Sequence, residues 1–169
     1  MSALIFDLDM TLINSKKAEV YRTARKWKKV YELIPYLTSY PGISELINYL
    51  NGKKIKIAIV TSAPRPYCEK IIEYNKWEIN ETVCFHDTTK KKPDPEPLFK
   101  ASELLKLDNS QILTAGDLDS DIISAKKAGM KSIACLWGSE NKNNLMKAAP
   151  DYVANNTFEL KSIIENYFT

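Results

Sequence analysis

The sequence predicts an α/β protein built on a parallel sheet with helices on both faces. Short apolar runs alternate with segments of helical periodicity along nearly all of the 169 residues, as is typical of repeated strand–helix–strand units. Several of the apolar runs end directly in a carboxylate or hydroxyl residue, which is expected where parallel strands deliver side chains to one edge of a sheet. We find no domain-scale linker, so we predict one domain over residues 1–169.

The predicted strands are short runs dominated by Ile, Leu, Val, Phe and Ala. The first, at 3–8, is rich in Ile, Leu and Phe, and the second, at 55–60, has the sequence Ile-Lys-Ile-Ala-Ile-Val. Weaker or shorter runs extend the series. They lie at 82–85, 111–115, 132–136 and 151–153.

The predicted helices lie between these strands, where apolar residues recur every three or four positions. Their expected positions are 42–51, 65–75, 95–106, 119–128 and 157–167. Helices thus separate most of the strands, but residues 14–40 interrupt the first step and no helix is predicted between the strands at 132–136 and 151–153. Strand–helix alternation of this kind favours a parallel sheet with helices on both faces.

Residues 14–40 are predicted to form a small helical insert after the first strand. Apolar residues spaced by four, three, four and three positions form one face of a single long helix over 15–34. They are Val20, Ala24, Trp27, Tyr31 and Ile34. Residues 15–40 carry seven Lys or Arg and two Asp or Glu, a local net charge of +5 in a chain of net charge +3. The insert is therefore the most basic part of the chain.

Composition narrows the class of protein. Apolar residues make up 44% and charged residues 27% of the chain, as in ordinary globular proteins. No apolar segment approaches the roughly 20 residues that span a bilayer, and no signal peptide is recognised, so we expect a cytoplasmic protein without a membrane partner. Cys68, Cys84 and Cys135 are expected to be reduced and buried. A single histidine, His86, argues against a zinc site.

A pair of carboxylates, Asp7 and Asp9, follows the first strand, with Thr11 two residues later. Two acids held close together repel each other unless a cation or a proton intervenes. Such a pair most simply indicates a divalent metal beside a carboxylate that is able to attack. An isolated Asp-x-Asp is more often a strand end and turn, so the interpretation depends on the rest of the chain.

Three further positions support the same site. Thr61 ends the second strand and is followed by Ser62, so a hydroxyl and a backbone N–H are available to a phosphate oxygen. Lys92 precedes the helix that begins near Pro95 and offers a cation to a phosphoryl group. Asp117 ends the fourth strand, and Asp121 follows one helical turn later. An acid pair, a hydroxyl, a lysine and a second acid pair follow one another along the chain. This combination is much stronger evidence for one shared site than any of its members alone.

This order resembles the four motifs of the haloacid dehalogenase (HAD) superfamily of phosphohydrolases. The matching residues are Asp7-x-Asp9-x-Thr11, Thr61, Lys92 and Gly116-Asp117-x-x-x-Asp121. The resemblance covers nearly the whole chain and implies a Rossmann-like core with an insert that acts as a reduced cap. Met10 departs from the Gly that many members carry, and we expect it to affect access to the site.

By this resemblance, the chain is expected to be a phosphatase that hydrolyses phosphomonoesters. Asp7 would be the nucleophile that forms an aspartyl-phosphate. Asp9 would be the general acid and then the general base, and its presence favours phosphoryl transfer over dehalogenation. Thr61, Ser62 and Lys92 would bind the phosphoryl oxygens.

The resemblance also implies Mg²⁺ as the cofactor, because this ion favours oxygen ligands and keeps several waters. The expected ligands are one carboxylate oxygen of Asp7, the backbone carbonyl of Asp9 and the carboxylate of Asp117. Asp121 would bind the metal through water or orient its ligands.

The length and the basic character of the insert limit which substrates are expected. The insert is too short for a full helical cap, so we expect one long helix, a return loop and a fairly open site. A small phosphomonoester or a phosphoprotein is the expected substrate. Cleavage of a nucleic-acid 3′-phosphate is a further alternative, since the basic helix carries Trp27 and tyrosines that stack on bases. The oligomeric state is left open.

Other activities remain alternatives at this stage. A phosphotransferase or mutase would use the same motifs with an acceptor other than water. A receiver-type regulatory domain also places acids, a hydroxyl and a lysine around Mg²⁺, but its lysine follows the hydroxyl at the fifth strand, and here an acid pair returns after Lys92. A non-catalytic binding module is expected to lack at least one of the four motifs.

Overall fold

A computed structural model describes residues 1–168 and confirms the predicted parallel sheet. The strands are β1 (Ala3–Phe6), β2 (Ile13–Asn14), β3 (Thr38–Ser39), β4 (Lys56–Val60), β5 (Glu81–Val83), β6 (Ile112–Gly116), β7 (Lys131–Cys135) and β8 (Tyr152–Ala154). Six of them form one sheet in the order β5-β4-β1-β6-β7-β8, with all neighbours parallel. Strands β2 and β3 form a separate antiparallel pair.

Helices cover both faces of the sheet, as predicted. They are α1 (Glu19–Thr23), α2 (Trp27–Leu33), α3 (Ile43–Gly52), α4 (Arg65–Asn75), α5 (Glu96–Leu105), α6 (Asp119–Lys127), α7 (Lys142–Lys147) and α8 (Thr157–Tyr167). Side chains alternate along β1, so Leu4 and Phe6 pack with α3, α4 and α8. Ala3 and Ile5 face the opposite side and pack with α5 and α6.

Strand β1 ends at Phe6, two residues earlier than the sequence predicts. The chain then turns tightly, because the backbone N–H groups of three successive residues all point to the carbonyl of Leu8. Met10 adopts a left-handed conformation with φ of 64° at the centre of this turn. Asp7 still pairs with the sheet through its N–H, which donates to the carbonyl of Ala115 at 2.9 Å. The turn therefore begins at the first carboxylate of the motif.

The prediction of one long helix over 15–34 is wrong. The segment instead contains a 3₁₀ turn at Lys16–Ala18, the short helices α1 and α2, and a second 3₁₀ turn at Ile34–Tyr36. Arg25 separates the two helices with a left-handed φ of 54°. Local helix propensity favours continuation through this segment, so the break reflects packing that outweighs propensity.

Because of this break, the apolar residues that the sequence predicts on one helix face do not all face the core. Val20 is 75% exposed, whereas Val30 and Ile34 are buried. Trp27 and Tyr31 pack against the main core, and the Trp27 ring lies 5.9 Å from that of Tyr67 in α4. The aromatic rings thus tie the insert to the body of the protein, which weakens the argument that they stack on bases.

A loop after β7 packs over the turn that carries the acid pair. The indole N–H of Trp137 donates to the carbonyl of Thr11 at 3.1 Å. A Cβ atom on Gly138 would lie 1.6 Å from the backbone oxygen of Met10, so only glycine allows this approach. Glu140 forms an ion pair with Lys16 of the insert. The loop therefore connects the turn at Met10 to the insert.

Two further expectations concern the cysteines and the membrane. Cys68, Cys84 and Cys135 are all buried and free, as predicted. Within residues 1–168 we find no helix with the length and apolar character that crossing a membrane requires.

Candidate active site

The sheet order explains why distant motifs meet. Asp7, Thr61 and Asp117 follow β1, β4 and β6, and these strands are direct neighbours in the order β4-β1-β6. Because the strands are parallel, their carboxyl ends lie at the same edge of the sheet. The structure thus brings these three residues to one edge.

Lys92 connects the acids at the centre of this edge. Its ammonium lies 2.8 Å from Asp7 Oδ1 and 2.6 Å from Asp121 Oδ1, and it donates to the carbonyl of Val60 at 3.0 Å. Only 8% of the side chain is exposed. Burial alone would lower the pKa of Lys92, but the Asp121 and Asp7 carboxylates outweigh it and raise the pKa. Lys92 is therefore a buried, permanently charged cation.

Asp7, Asp117 and Asp121 form an acidic cluster, in which one oxygen from each residue lies within 4.8 Å of the others. The Thr11 hydroxyl donates to Asp117 Oδ1 at 2.9 Å, and the Leu118 N–H donates to Asp121 Oδ2 at 3.0 Å. These neutral donors and one lysine do not balance three carboxylates. The cluster therefore has the oxygen donors and the excess negative charge that suit a divalent cation.

Ionisation of the cluster is unfavourable without a cation. Burial, and then the charges of Asp7 and Asp121, raise the pKa of Asp117 to about 8. Burial also raises the pKa of Asp121, with the nearby Lys92 opposing the shift, to about 6. A bound cation would remove the repulsion and replace the proton on Asp117.

The raised pKa of Asp117 predicts how stability depends on pH and on metal. Between about pH 4 and pH 8, Asp117 holds a proton in the folded protein but not in the unfolded chain, so the free energy of unfolding falls as pH rises. We expect Mg²⁺ at 100 times its Kd to raise the melting temperature at pH 8 by about 5–10 °C, and by less at pH 6, where it must displace a proton.

Asp117→Asn should abolish this response to Mg²⁺. The variant should be at least as stable as the wild type in EDTA at pH 8, since Asn supplies the neutral group that burial favours. Asp119→Asn is the matched control, because it removes the same charge at the start of α6 but lies outside the acidic cluster. Melting curves with EDTA or Mg²⁺ at both pH values test this, and a full Mg²⁺ response in Asp117→Asn would contradict it.

The hydroxyl residues after β4 lie beside the acids. Thr61 is 5% exposed, and its Oγ1 accepts a hydrogen bond from the N–H of Ala63 at 3.1 Å. Ser62 is exposed, and both residues line the same cavity as Asp7. The hydroxyl groups of Thr61 and Ser62 and the ammonium of Lys92 thus line one cavity and are available to one phosphate.

Asp9 is held by two residues that sequence reasoning did not identify. Tyr67 in α4 donates to Asp9 Oδ1 at 2.7 Å, and Arg22 in α1 places Nη2 2.8 Å from Asp9 Oδ2. Burial and the Asp9 carboxylate raise the pKa of Tyr67, so its hydroxyl stays protonated and remains a donor. The only sequence signals were the basic character of the insert and the nearness of Tyr67 to Thr61.

A cavity of about 510 Å³ opens above the acids, a size suited to a small ligand. Its floor includes Asp7, Asp9, Thr61, Lys92 and Asp117. Its walls come from the insert and from loops. These wall residues include Met10, Lys16, Arg22, Arg25, His86, Gly138 and Glu140. The sequence predicted a fairly open site, and in the structure residues of the insert line the cavity together with His86.

Known proteins resemble this chain in sequence and in fold. A family model described as haloacid dehalogenase-like hydrolase matches residues 16–135. The pyrophosphatase PpaX of Bacillus mycoides is 32% identical over 127 residues, which cover 74% of this chain and 59% of that protein. A phosphoglycolate phosphatase of Aquifex aeolicus is 29% identical over 136 residues, which cover 79% of this chain and 62% of that protein. The chain thus spans about three fifths of the length of these curated relatives.

Solved structures show the same fold. A hydrolase from Pseudomonas syringae superposes with a TM-score of 0.82 at 21% identity, covering 98% of this chain and 99% of that one. CbbY from Rhodobacter sphaeroides, solved in complex with phosphate, gives a TM-score of 0.82 at 18% identity, covering 95% and 96%. At these identities the likeness concerns the fold alone.

Proposed function

Because the chain belongs to the family of haloacid dehalogenase-like hydrolases, we propose that it is a Mg²⁺-dependent phosphatase acting on a small phosphomonoester. The observation that carries this proposal is the position of Lys92, whose ammonium is paired with both Asp7 and Asp121 beside a third acid, Asp117. A buried cation among carboxylates at the floor of a cavity matches the charge of a phosphoryl group and its nucleophile.

Asp7 is the proposed nucleophile. Its side chain is 12% exposed and lines the cavity, so a carboxylate oxygen is accessible to a bound phosphate. In the first step this oxygen forms a bond to phosphorus while the bond from phosphorus to the leaving oxygen breaks. Lys92 and Thr61 hold the phosphoryl oxygens during this transfer.

Asp9 is the proposed general acid and base. Its carboxylate takes up the acidic proton of the bound phosphomonoester and gives it to the leaving oxygen in the first step. In the second step it takes a proton from the attacking water, whose oxygen bonds to phosphorus as the bond to Asp7 breaks. The products are the alcohol and inorganic phosphate, which carries away the proton from Asp9, and both aspartates return to their starting states.

The residues present fit Mg²⁺. Asp7, the backbone carbonyl of Asp9 and Asp117 would hold the ion, and Asp121 would bind it through water or orient its ligands. When bound, the ion would neutralise phosphoryl charge and relieve the repulsion that raises the pKa of Asp117. Arg22 and Tyr67 bind the carboxylate of Asp9, and Lys92 pairs with Asp7 and Asp121.

The relatives' names favour a phosphorylated small molecule, since they are a pyrophosphatase and a phosphoglycolate phosphatase. The cavity of about 510 Å³ also suits a small ester better than a macromolecule. Transfer of the phosphoryl group to an acceptor other than water would use the same residues.

Release of inorganic phosphate from a broad panel of phosphomonoesters tests the proposal. We expect turnover with Mg²⁺ and its loss in EDTA, with recovery when Mg²⁺ is restored. A rate that rises with an added alcohol or sugar acceptor would instead indicate a phosphotransferase. Absence of turnover on the whole panel with Mg²⁺, in protein that melts cooperatively, would contradict the proposal.

A further inference from the structure

The contact between Arg22 and Asp9 is strongly charged but incompletely satisfied. Arg22 Nη2 lies 2.8 Å from Asp9 Oδ2, and Nη1 donates to Ser15 Oγ at 3.0 Å. Nevertheless, within residues 1–168, Asp9 Oδ2 and Arg22 Nε are the buried side-chain polar atoms that lack a hydrogen-bond partner of good geometry. Such atoms are costly, because each loses its water without full compensation. The contact is therefore one that a better partner can replace.

Arg22 is well placed to find such a partner. It lines the cavity above Asp7 and Lys92, and 25% of its side chain is exposed. Its guanidinium carbon lies 5.8 Å from the centre of the Tyr67 ring, which supports the group from behind. A planar guanidinium binds carboxylate or phosphate oxygens in pairs. An anion in the cavity would thus satisfy donors that Asp9 leaves unsatisfied.

The other cations that the insert contributes to the wall are less suited to this role. Lys16 forms ion pairs with both Glu19 and Glu140, so its charge is already matched. Arg25 lines the same cavity, but within residues 1–168 no ion pair joins it to Asp9. Arg22 is therefore the cation of the insert that connects the cavity to the proposed acid.

We propose that Arg22 recognises a second anionic group on the substrate and releases Asp9 when it does so. With the phosphoryl group beside Asp7 and Lys92, the rest of the substrate extends toward the insert. A carboxylate or a second phosphate there draws the guanidinium away from Asp9 Oδ2. That oxygen then becomes available to the leaving oxygen, while Tyr67 still holds Oδ1. The preferred substrates are small phosphomonoesters or diphosphates that carry a second anion.

This inference rests on the proposed phosphatase function for its effect on turnover, but its effect on binding is measured separately. The binding probes are 3-phosphonopropionate and propylphosphonate, which are not hydrolysed and differ by a carboxylate in place of a methyl group. The turnover probes are phosphoglycolate and ethyl phosphate, which differ in the same way. Calorimetry with Mg²⁺ gives Kd for the first pair, and phosphate release gives kcat and KM for the second.

We expect the wild type to favour the carboxylate member of each pair by about 10- to 100-fold, as for a charge-assisted hydrogen bond. Arg22→Gln should reduce both preferences to about threefold or less. The loss in kcat/KM should be larger for phosphoglycolate, whose carboxylate Arg22 would bind, than for ethyl phosphate. A merely structural role would lower kcat for both esters alike.

Arg25→Gln is the matched control, since it removes the same charge from the same cavity without touching Asp9, and it should keep both preferences. If Arg22→Gln does not fold, Arg22→Lys carries the test: lysine keeps the charge but lacks the paired donors, and we expect a loss of about tenfold. Equal preferences in wild type and Arg22→Gln, or an equal loss in Arg25→Gln, would overturn the inference.

The two proposals fail in different ways. Hydrolysis of both esters without a preference would refute the role of Arg22 and leave the phosphatase function in place. An Arg22-dependent binding preference without hydrolysis of any ester would refute the phosphatase function and support the anion site.

Discussion

Asp7→Asn is expected to reduce Mg²⁺-dependent phosphate release by at least about 1,000-fold, as when a covalent nucleophile is removed. The amide nitrogen and oxygen of Asn are poor nucleophiles toward phosphorus, so no phosphoryl-enzyme forms. The fold should persist, because Lys92 keeps its contact with Asp121 at 2.6 Å and one of three crowded carboxylate charges is removed. The rate is measured by phosphate release with saturating Mg²⁺, and the fold by melting curves.

Two controls sharpen this test. Asp119→Asn makes the same change outside the acidic cluster and should retain turnover. Acid-quenched wild type should carry the mass of one phosphoryl group on the peptide that contains Asp7, and Asp7→Asn should not. Turnover by Asp7→Asn within tenfold of the wild type would refute its assignment as the nucleophile.

Lys92→Met is expected to have the largest effect on stability. Removing one partner of a buried ion pair costs about 3–5 kcal/mol, because the remaining charges are left uncompensated. Here the two carboxylates that contact Lys92 are only 12% and 8% exposed. The loss should be smaller at pH 5 than at pH 8, because the pKa of Asp121, about 6 with Lys92 present, rises further and protonation removes its charge.

Lys90→Met is the matched control for this variant. Lys90 belongs to the same loop, but its side chain is 69% exposed and its nearest acid, Asp94, is 3.7 Å away, so we expect a change below about 1 kcal/mol. Urea unfolding in EDTA at both pH values measures the two variants. Equal stability of Lys92→Met and Lys90→Met at pH 8 would contradict the role of Lys92 as a buried counter-charge.

Local sequence patterns predicted the bounds of several elements and the residues of the candidate site. Helices α4 and α8 begin and end where the sequence predicts, because their apolar periodicity and turns are local signals. The positions of Asp7, Thr61 and Asp117 after the first, second and fourth apolar runs predicted that they would meet, since parallel strands share one carboxyl edge. The motif that includes Lys92 added the fourth member of the site.

The order of the elements and the residues at the strand ends follow from periodicity and could therefore be predicted from sequence. The break of the insert at Arg25 and the two contacts that hold Asp9 depend instead on tertiary packing. Tyr67 reaches Asp9 across 58 positions of sequence, and Arg22 reaches it from the short helix α1 of the insert. Such contacts depend on how elements pack, and packing energies of this kind outweigh the local propensities that a sequence displays.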